Sequence, residues 1–258
     1  MQFLGENEQA PIQCPPGNGV RLHAPLNALD TMITAITSPV RRIFIASLLG
    51  IGAQAWAQQT TLYDPQPPAN SAYVRVIVGD QEVDVLLDNR SRLEKVPSAT
   101  PSAYMVVPAG QHEITVKAKG KSITVPVKAE ASRSITVMVP SFTGTTKPVV
   151  MEDKINSNRL KAIISFYNLT ASTTLDAWTA DGSTAIFQGI APGATGSLVV
   201  NPVKLAYMVA SAGTKTPLAT QEFSMTAGNA YSIVVTSGPG GATATQAHNN
   251  TVERYQGH

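Results

Sequence analysis

The sequence offers few side chains for acid–base or metal chemistry. Downstream of the export signal described below there are three histidines, His112, His248 and His258. None has the HxH or HExxH spacing that chelates a metal ion. His112 precedes Glu113 at the start of a strand-like stretch, and we predict a histidine at the rim of a sheet rather than a general base. The sequence therefore indicates no metal site and no cofactor.

Activated nucleophiles are also missing from the sequence. There is no Gly-x-Ser-x-Gly turn, and the Gly-Asp-Ser turn and Asp-x-x-His motif of a GDS-type esterase are absent. Ser183 follows the turn signal Asp181-Gly182 and has no evident base, and a serine without a base is a poor nucleophile. Carboxylate pairs have no fixed spacing, but we predict solvated positions for the acidic residues. These are Asp84, Asp88, Glu94, Glu152, Asp153, Asp176, Asp181 and Glu222.

An aromatic side chain could bind a sugar ring by stacking. Trp178 is the only tryptophan downstream of the export signal, and if Ala177 points into a core, Trp178 points outward with Asp176. Burial is the more common environment of an aromatic side chain. We predict no catalytic residue and name Trp178 as a candidate ligand-binding residue, with Tyr167 and Tyr63 as weaker candidates.

A secretory signal precedes all of these residues. Arg41 and Arg42 are followed by an apolar run at 43–52 and by the small-x-small site that ends at Ala57. The run is shorter than the ~20 residues of a transmembrane helix. We therefore predict cleavage after Ala57 and a soluble periplasmic protein with no membrane span. Sec export is favoured over the twin-arginine route.

The signal begins unusually deep in the chain. Met32 would start a leader of ordinary length, so residues 1–31 are either an upstream mis-start or an extended n-region. Cys14, the only cysteine, lies in this segment, so no disulfide can form within the exported chain. The 19 basic and 17 acidic residues give a net charge of only +2, which argues against nucleic acid as a partner.

Strand-like alternation dominates the exported region and positions the residues above. Val74, Val76 and Val78 alternate with Tyr73, Arg75 and Ile77, and similar runs recur between turn signals. The pattern predicts an all-β fold of two tandem antiparallel β-sandwich domains, which share an internal duplication of about 75 residues. The predicted segments are a leader with its signal peptide at 1–57, a first sandwich with a proline-rich strap at 58–147, a linker at 148–157, a second sandwich at 158–240 and a flexible tail at 241–258.

Several ordered motifs together resemble the family of the alginate O-acetylation protein AlgF. The segment Leu62-Tyr63-x-Pro65-x-x-Pro68, followed by Ser71-x-Tyr73-Val74-Arg75-Val76, is similar to the mature N-terminus of that family. Asn168-Leu169, Thr179-Ala180-Asp181-Gly182 and Asn201-Pro202-Val203-Lys204 resemble its second half in the same order. The resemblance covers residues 60–237. The chain departs from the family at Ile77-Val78-Gly79 and at Lys161-Ala162-Ile163.

The resemblance implies a function that the residues alone do not give. A member of this family would be a non-enzymatic periplasmic adaptor in O-acetylation of an exopolysaccharide, either alginate or a related polymer such as cellulose. Its sandwiches would resemble carbohydrate-binding modules. Its expected partners are a periplasmic GDS-type O-acetyltransferase and a membrane acyltransferase. The alternatives are a module that binds the polysaccharide and, less favoured, an acetyl carrier or transferase.

Overall fold

The computed structural model describes residues 65–255 apart from 143 and 145. The predicted leader and signal therefore lie outside the described residues, as does Tyr63. The described residues belong to one compact unit that is built almost entirely of strands. No helix in this part of the chain has the length and apolar character needed to cross a membrane.

Eight strands form the first half of this unit. They are β1 (Ser71–Val78), β2 (Val83–Leu87), β3 (Arg90–Val96), β4 (Met105–Pro108), β5 (Gly110–Ala118), β6 (Lys121–Ala129), β7 (Ser134–Val139) and β8 (Val149–Glu152). They assemble into two four-stranded sheets with the orders β4-β1-β7-β8 and β3-β2-β5-β6.

Eight further strands form the second half. They are β9 (Ala162–Leu169), β10 (Leu175–Thr179), β11 (Ala185–Ile190), β12 (Thr195–Val200), β13 (Lys204–Ser211), β14 (Pro217–Ser224), β15 (Ala230–Ser237) and β16 (Thr243–Asn249). Their sheets have the orders β12-β9-β15-β16 and β11-β10-β13-β14. Adding eight to each strand number of the first half gives the second half, so the topology repeats strand for strand. The predicted all-β tandem sandwich is confirmed.

The sequence pattern predicts antiparallel sandwiches, but each half also contains one parallel pair of strands. β1 pairs with β7 in parallel, and β9 pairs with β15 in parallel, whereas the other ladders are antiparallel. Period-two alternation shows which face of a strand is buried, but it does not report the direction of a neighbour. The parallel pairs join the first and seventh strands of each half, which are far apart in sequence, so no hairpin signal could reveal them.

The predicted linker and the predicted flexible tail each contain a strand. β8 lies within residues 148–157 and pairs with β7, while β16 lies within residues 241–258 and pairs with β15 along its whole length. The prediction of a flexible tail is therefore wrong for Thr243–Asn249. Each of these strands is the eighth of its half and forms one edge of its sheet. β16 contains mostly threonine, alanine and polar residues, so its sequence lacks the valine-rich signal of an inner strand.

Each sandwich has its own apolar core, because alternate residues of its strands face the partner sheet. Val74, Val76 and Val78 of β1 contribute to the first core, and Ile164 and Phe166 of β9 contribute to the second. A third cluster lies between the sandwiches. It contains Ile77, Met138, Tyr167, Leu169 and Val234 from the outer faces of β1, β7, β9 and β15. The four sheets are therefore stacked, with the two inner sheets packed against each other.

Candidate functional site

A fully buried arginine lies at the centre of the interface between the sandwiches. Because Val74 and Val76 of β1 face the first core, Arg75 must face the other way, toward the second sandwich. Its side chain has no solvent exposure. A buried guanidinium is costly unless hydrogen bonds and a counter-charge compensate it, so its surroundings define the chemistry of this site.

Hydrogen bonds from both halves of the chain hold the Arg75 guanidinium. Its Nε donates to Thr136 Oγ1 of β7 at 2.9 Å, and Nη1 donates to Asn250 Oδ1 at 2.8 Å. Nη2 donates to Tyr167 Oη of β9 at 2.8 Å and to Ser232 Oγ of β15 at 3.1 Å. The single side chain therefore links the first sandwich to two strands of the second and to the segment after β16.

Asp153, directly after β8, supplies the negative charge. Its Oδ2 lies 4.0 Å from Arg75 Nε and accepts hydrogen bonds from Tyr104 Oη at 2.8 Å and Thr136 Oγ1 at 2.6 Å. Oδ1 accepts one from Tyr167 Oη at 2.5 Å. The guanidinium also stacks over the Tyr104 ring, with 4.4 Å between Cζ and the ring centroid, a favourable cation–π distance. The charges at this site thus balance.

The two tyrosines remain neutral donors over the physiological pH range. Burial raises the pKa of Tyr167 to about 12, with the Asp153 carboxylate adding to the rise and Arg75 opposing it. Burial likewise raises the pKa of Tyr104 far above its usual value. A phenol with a raised pKa keeps its proton, which is what donation to a carboxylate requires.

A cleft opens beside this network. A cavity of about 230 Å³ between the sandwiches is lined by Tyr104, Asp153, Ser165 and Asn250, among others. It continues into a groove of about 450 Å³ whose walls include the Lys154–Ile155 segment, Leu198 and Val199. The groove has exposed apolar side chains, with Ile155 63% exposed and Val199 48% exposed, and its walls also carry the charged residues Arg133, Glu152 and Lys154.

The segment that follows β16 returns to the first sandwich. Tyr104 N donates to Thr251 O at 2.8 Å and Glu253 N donates to Tyr104 O at 2.9 Å, so an isolated parallel bridge joins Tyr104 and Val252 at the edge of β4. The Glu253 carboxylate accepts a hydrogen bond from Val106 N at 2.8 Å and pairs with Arg92. These contacts close one side of the interface with the end of the described chain.

The predicted ligand-binding aromatics do not form one site. Tyr167 is fully buried in the Arg75 network, so the prediction of a sugar-stacking role is wrong for it. Trp178 lies on β10 and is half-buried, consistent with its predicted position on an outer face. However, Lys215 Nζ lies 4.3 Å from the centroid of its ring and donates to Gly182 O at 2.7 Å. One face of the Trp178 ring is therefore already covered by a cation.

Two of the acidic residues predicted to be solvated are buried. Asp153 is 8% exposed and Asp176 is 3% exposed. The Asp176 carboxylate accepts hydrogen bonds from Gly189 N of β11 at 2.7 Å and from Gly213 N of the loop after β13 at 2.9 Å, so it ties both elements to β10. Asp181 is exposed as predicted, and hydrogen bonds from Thr179 and Ser183 lower its pKa to about 2.

Both described histidines have structural contacts. His112 Nδ1 lies 2.8 Å from Asp88 Oδ2, and its Nε2 lies 2.8 Å from Pro108 O. His248 Nε2 lies 3.1 Å from Ala99 O, and burial lowers the pKa of its ring. Neither ring contacts a serine hydroxyl. Within residues 65–255, leaving out 143 and 145, no cluster of three or more histidine, cysteine, aspartate or glutamate residues could hold a metal ion.

The Arg75–Asp153 network was not predicted from the sequence. One signal was present, since Arg75 stands on a strand whose opposite face is valine and whose own face carries Ile77. A charged residue on an otherwise apolar face indicates a buried polar contact. The partners could not be found in this way, because Thr136, Tyr167 and Asn250 lie far away in sequence.

Comparisons with known proteins place the chain in a family. A family model described as alginate O-acetyl transferase AlgF matches residues 45–232. The alginate biosynthesis protein AlgF of Pseudomonas syringae pv. tomato is 30% identical over 178 residues, which cover 67% of this chain and 76% of that protein. The protein of the same name from Pseudomonas aeruginosa is 31% identical over 165 residues, covering 62% of this chain and 72% of that protein.

Two solved structures are also similar to parts of the chain. The C-terminal domain of AlgF from P. aeruginosa is 28% identical, with a TM-score of 0.30, and the match covers 35% of this chain and 99% of that domain. The N-terminal domain is 25% identical, with a TM-score of 0.28, and the match covers 34% of this chain and all of that domain. The TM-scores are low, so the description of the fold rests on the strands of this chain. The family match over residues 45–232 and the 30% identity to a relative of which 76% is covered show that the chain belongs to the AlgF family.

Proposed function

We propose that this protein is a non-enzymatic periplasmic adaptor in the O-acetylation of alginate or a related exopolysaccharide. The membership in the AlgF family supports the pathway. The observation that carries the adaptor role is the buried Arg75–Asp153 network, which joins the two sandwiches into one body. The outer sheet of each sandwich and sheet edges on both sides remain available for partners. Its partners would be a periplasmic GDS-type O-acetyltransferase and a membrane acyltransferase, and the polymer would be a second ligand.

The geometry of the described residues favours an adaptor over a transferase. An acyl-transferring serine needs a base within hydrogen-bonding reach, but His112 contacts Asp88 and a carbonyl oxygen, and His248 contacts another carbonyl. The buried carboxylates are committed as well, since Asp153 accepts from hydroxyls and Asp176 from backbone amides. These groups position the fold and leave no activated nucleophile among them.

Deletion of the gene in the producing bacterium tests the proposal. The strain should still make polymer but should lose its acetyl esters, as measured by proton NMR of the purified polysaccharide. Restoring the gene in trans should restore the esters. Polymer that keeps its acetyl groups after deletion would refute the adaptor role. An acetyl carrier would instead acquire one stable acetyl group in place of a hydrogen when it is incubated with an activated acetyl donor, and intact-mass measurement would show this single adduct.

A polysaccharide-binding role is the second candidate, favoured by the position of Trp178. Its half-buried ring stands on an outer sheet beside the Lys215 ammonium, and an aromatic ring next to a cation suits a sugar that carries a carboxylate. Trp178→Ala should weaken binding of purified polymer in calorimetric titration while leaving the melting temperature nearly unchanged. The candidate fails if the parent protein gives no heat of binding or if the variant binds equally well.

A further inference from the structure

β12 is an open sheet edge. The backbone hydrogen bonds of β12 go to β9 along one edge of the strand. Among the described residues no backbone group pairs with the other edge. Proteins usually protect such edges with charges, prolines or bulges. β3 and β6 carry arginine or lysine, β6 also contains Pro126, and the ladder of β11 is irregular. β12, Thr-Gly-Ser-Leu-Val-Val, has a regular register and two exposed aliphatic residues, Leu198 and Val199.

The equivalent edge in the first sandwich is covered. In the repeated topology β4 corresponds to β12. Tyr73 corresponds to Ile163, because the N–H of Tyr73 donates to Arg133 O directly before β7 and the N–H of Ile163 donates to Asn229 O directly before β15. Tyr73 is opposite Val106 and Ile163 is opposite Val199. Val106 therefore corresponds to Val199, and Tyr104, two residues before Val106, corresponds to Ser197. The backbone groups that bind the 251–253 segment on β4 have counterparts on β12.

These counterparts point away from the sheet. Because the Ile163 N–H is directed toward β15, Ile163 and Val199 form a non-hydrogen-bonded antiparallel pair, and the N–H of Val199 points outward. The same register directs the N–H and C=O of Ser197 outward. On β4 the corresponding groups bind an extended segment through Thr251 O, Glu253 N and the Glu253 carboxylate.

The surroundings of β12 favour an acidic occupant. Of the charged residues that line the adjacent groove, Arg133 pairs with Glu152, and Asp153 lies beside Arg75. Lys154 has no ion-pair partner among residues 65–255 outside 143 and 145, so it is the uncompensated charge of the groove. Lys161 lies at the far end of β12 and donates to Asn201 Oδ1. Exposed Ile155 lies with Leu198 and Val199 along the groove. An extended segment with apolar residues and a carboxylate would satisfy the backbone groups, the aliphatic side chains and the cations together.

We propose that β12 binds an extended acidic segment of a partner protein, which pairs with Ser197 and Val199 as the 251–253 segment pairs with β4. This inference rests on the proposed adaptor function and identifies its docking edge. A polyanionic polymer would satisfy the cations but not the backbone edge, which has the hydrogen-bonding pattern of a missing strand.

Val199→Pro provides the most selective test. Proline removes the outward N–H, and an edge strand tolerates proline where the N–H faces solvent; Val199→Thr keeps the N–H and the β-branched shape and is the matched control. The probe is the purified GDS-type acetyltransferase of the same organism, titrated against the full exported chain. Val199→Pro should weaken binding about tenfold or more, as for loss of a central interface contact, and Val199→Thr should bind normally.

Charge and amide protection provide further readouts. Lys154→Glu should weaken the same binding several-fold, whereas Lys121→Glu on the distant edge strand β6 should not. Hydrogen exchange at Ser197 and Val199 should slow when the acetyltransferase is added. Equal binding by Val199→Pro and its control would overturn the proposal, as would unchanged exchange on β12 in the complex.

Other occupants give distinguishable results. Concentration-dependent dimerisation abolished by Val199→Pro would assign the edge to a second copy of the chain. Protection of the β12 amides from exchange by purified polymer would assign the edge to the polysaccharide. Protection that is lost on removing residues 58–64 would assign it to the proline-rich strap of the chain itself. Each of these outcomes overturns the partner segment. If gene deletion removes the acetyl esters and Val199→Pro restores them fully, only the docking edge fails and the adaptor function stands.

Discussion

Replacing Arg75 by methionine should uncouple and destabilise the two sandwiches. Methionine preserves much of the apolar volume, but it leaves the buried Asp153 carboxylate without the cation 4.0 Å away. Tyr167, Ser232 and Asn250 lose a donor from the first sandwich. Removing one member of a buried ion pair costs about 3–5 kcal/mol. Since domains of this kind have total stabilities of about 5–15 kcal/mol, the loss is a large fraction of the free energy of unfolding.

Guanidinium denaturation monitored by two probes measures this effect. Trp178 is the only tryptophan downstream of the predicted cleavage site and lies in the second sandwich, so its fluorescence reports that half. Far-UV circular dichroism reports both halves. The two transitions should coincide in the parent protein. In Arg75→Met both should move to lower denaturant, and they should separate because the link between the sandwiches is broken.

Two further variants make the prediction specific. Arg133→Met removes an exposed ion pair with Glu152, whose side chains are 55% exposed, and such pairs contribute at most about 1 kcal/mol. Adding Asp153→Asn to Arg75→Met removes the uncompensated charge and should recover part of the lost stability. A loss below about 1 kcal/mol for Arg75→Met, no larger than for Arg133→Met, would refute the argument that the buried guanidinium holds the sandwiches together.

Three other predictions follow from the same interface. Tyr167→Phe removes a hydrogen bond to a carboxylate and should lower the free energy of unfolding, measured by urea denaturation, by about 1.5–3 kcal/mol. The control Tyr207→Phe should lower it by only about 0.5–1.5 kcal/mol, because the Tyr207 hydroxyl contacts neutral Thr245 and Gln221. Equal losses would contradict the charge-assisted bond. The pKa of Tyr167 is raised to about 12, so its contribution to stability should be complete below about pH 10 and should be lost as the pH rises toward 12. Urea midpoints between pH 9 and 12 check this against Tyr167→Phe, which should lose less stability over that range. A stop codon after Ala242 removes β16 and should lower the melting temperature sharply in calorimetry, whereas a stop after Arg254 should change it little; similar melting temperatures for the two truncations would contradict a structural role for β16.

The inner strands could be predicted from the sequence because their physics is local. Alternation of Val74, Val76 and Val78 with other residues shows that one face of β1 is buried, and turn signals such as Asp181-Gly182 mark where strands end. The edge strands β8 and β16 could not be predicted in this way. Only one of their faces and one of their edges is covered, so selection for apolar residues is weak, and their identity as strands depends on β7 and β15.

The candidate site was less predictable than the fold for a related reason. The absence of a catalytic spacing could be read directly from the sequence, but the presence of Arg75 on an apolar face indicated only that some partner must exist. The partners are brought together by the packing of two sheets, and nothing local to Tyr167 or Asn250 distinguishes them from surface residues. For this reason the sequence makes Tyr167 a candidate ligand-binding residue, although its side chain lies in the interior.

The interface contains a single arginine and a single aspartate because the two halves of the repeat have diverged at the equivalent positions. By the register that relates Tyr73 to Ile163, Arg75 corresponds to Ser165 of β9. Asp153 corresponds to Asn250, because their N–H groups donate to the equivalent residues Ser134 and Ala230. Two identical halves would place two guanidinium groups and two carboxylates in one buried interface, where each charge carries a desolvation cost.

The observed pair keeps one charge of each sign, and Asn250 replaces the second carboxylate with a neutral acceptor for Arg75. The second guanidinium is replaced by the short Ser165 side chain, which instead contacts Ser197 of β12. Ser165 lines the cavity of about 230 Å³ beside Asp153, where an arginine at that position would have to lie. The divergence of the two halves therefore accounts both for the small number of buried charges in the interface and for the open cleft that leads to the β12 edge.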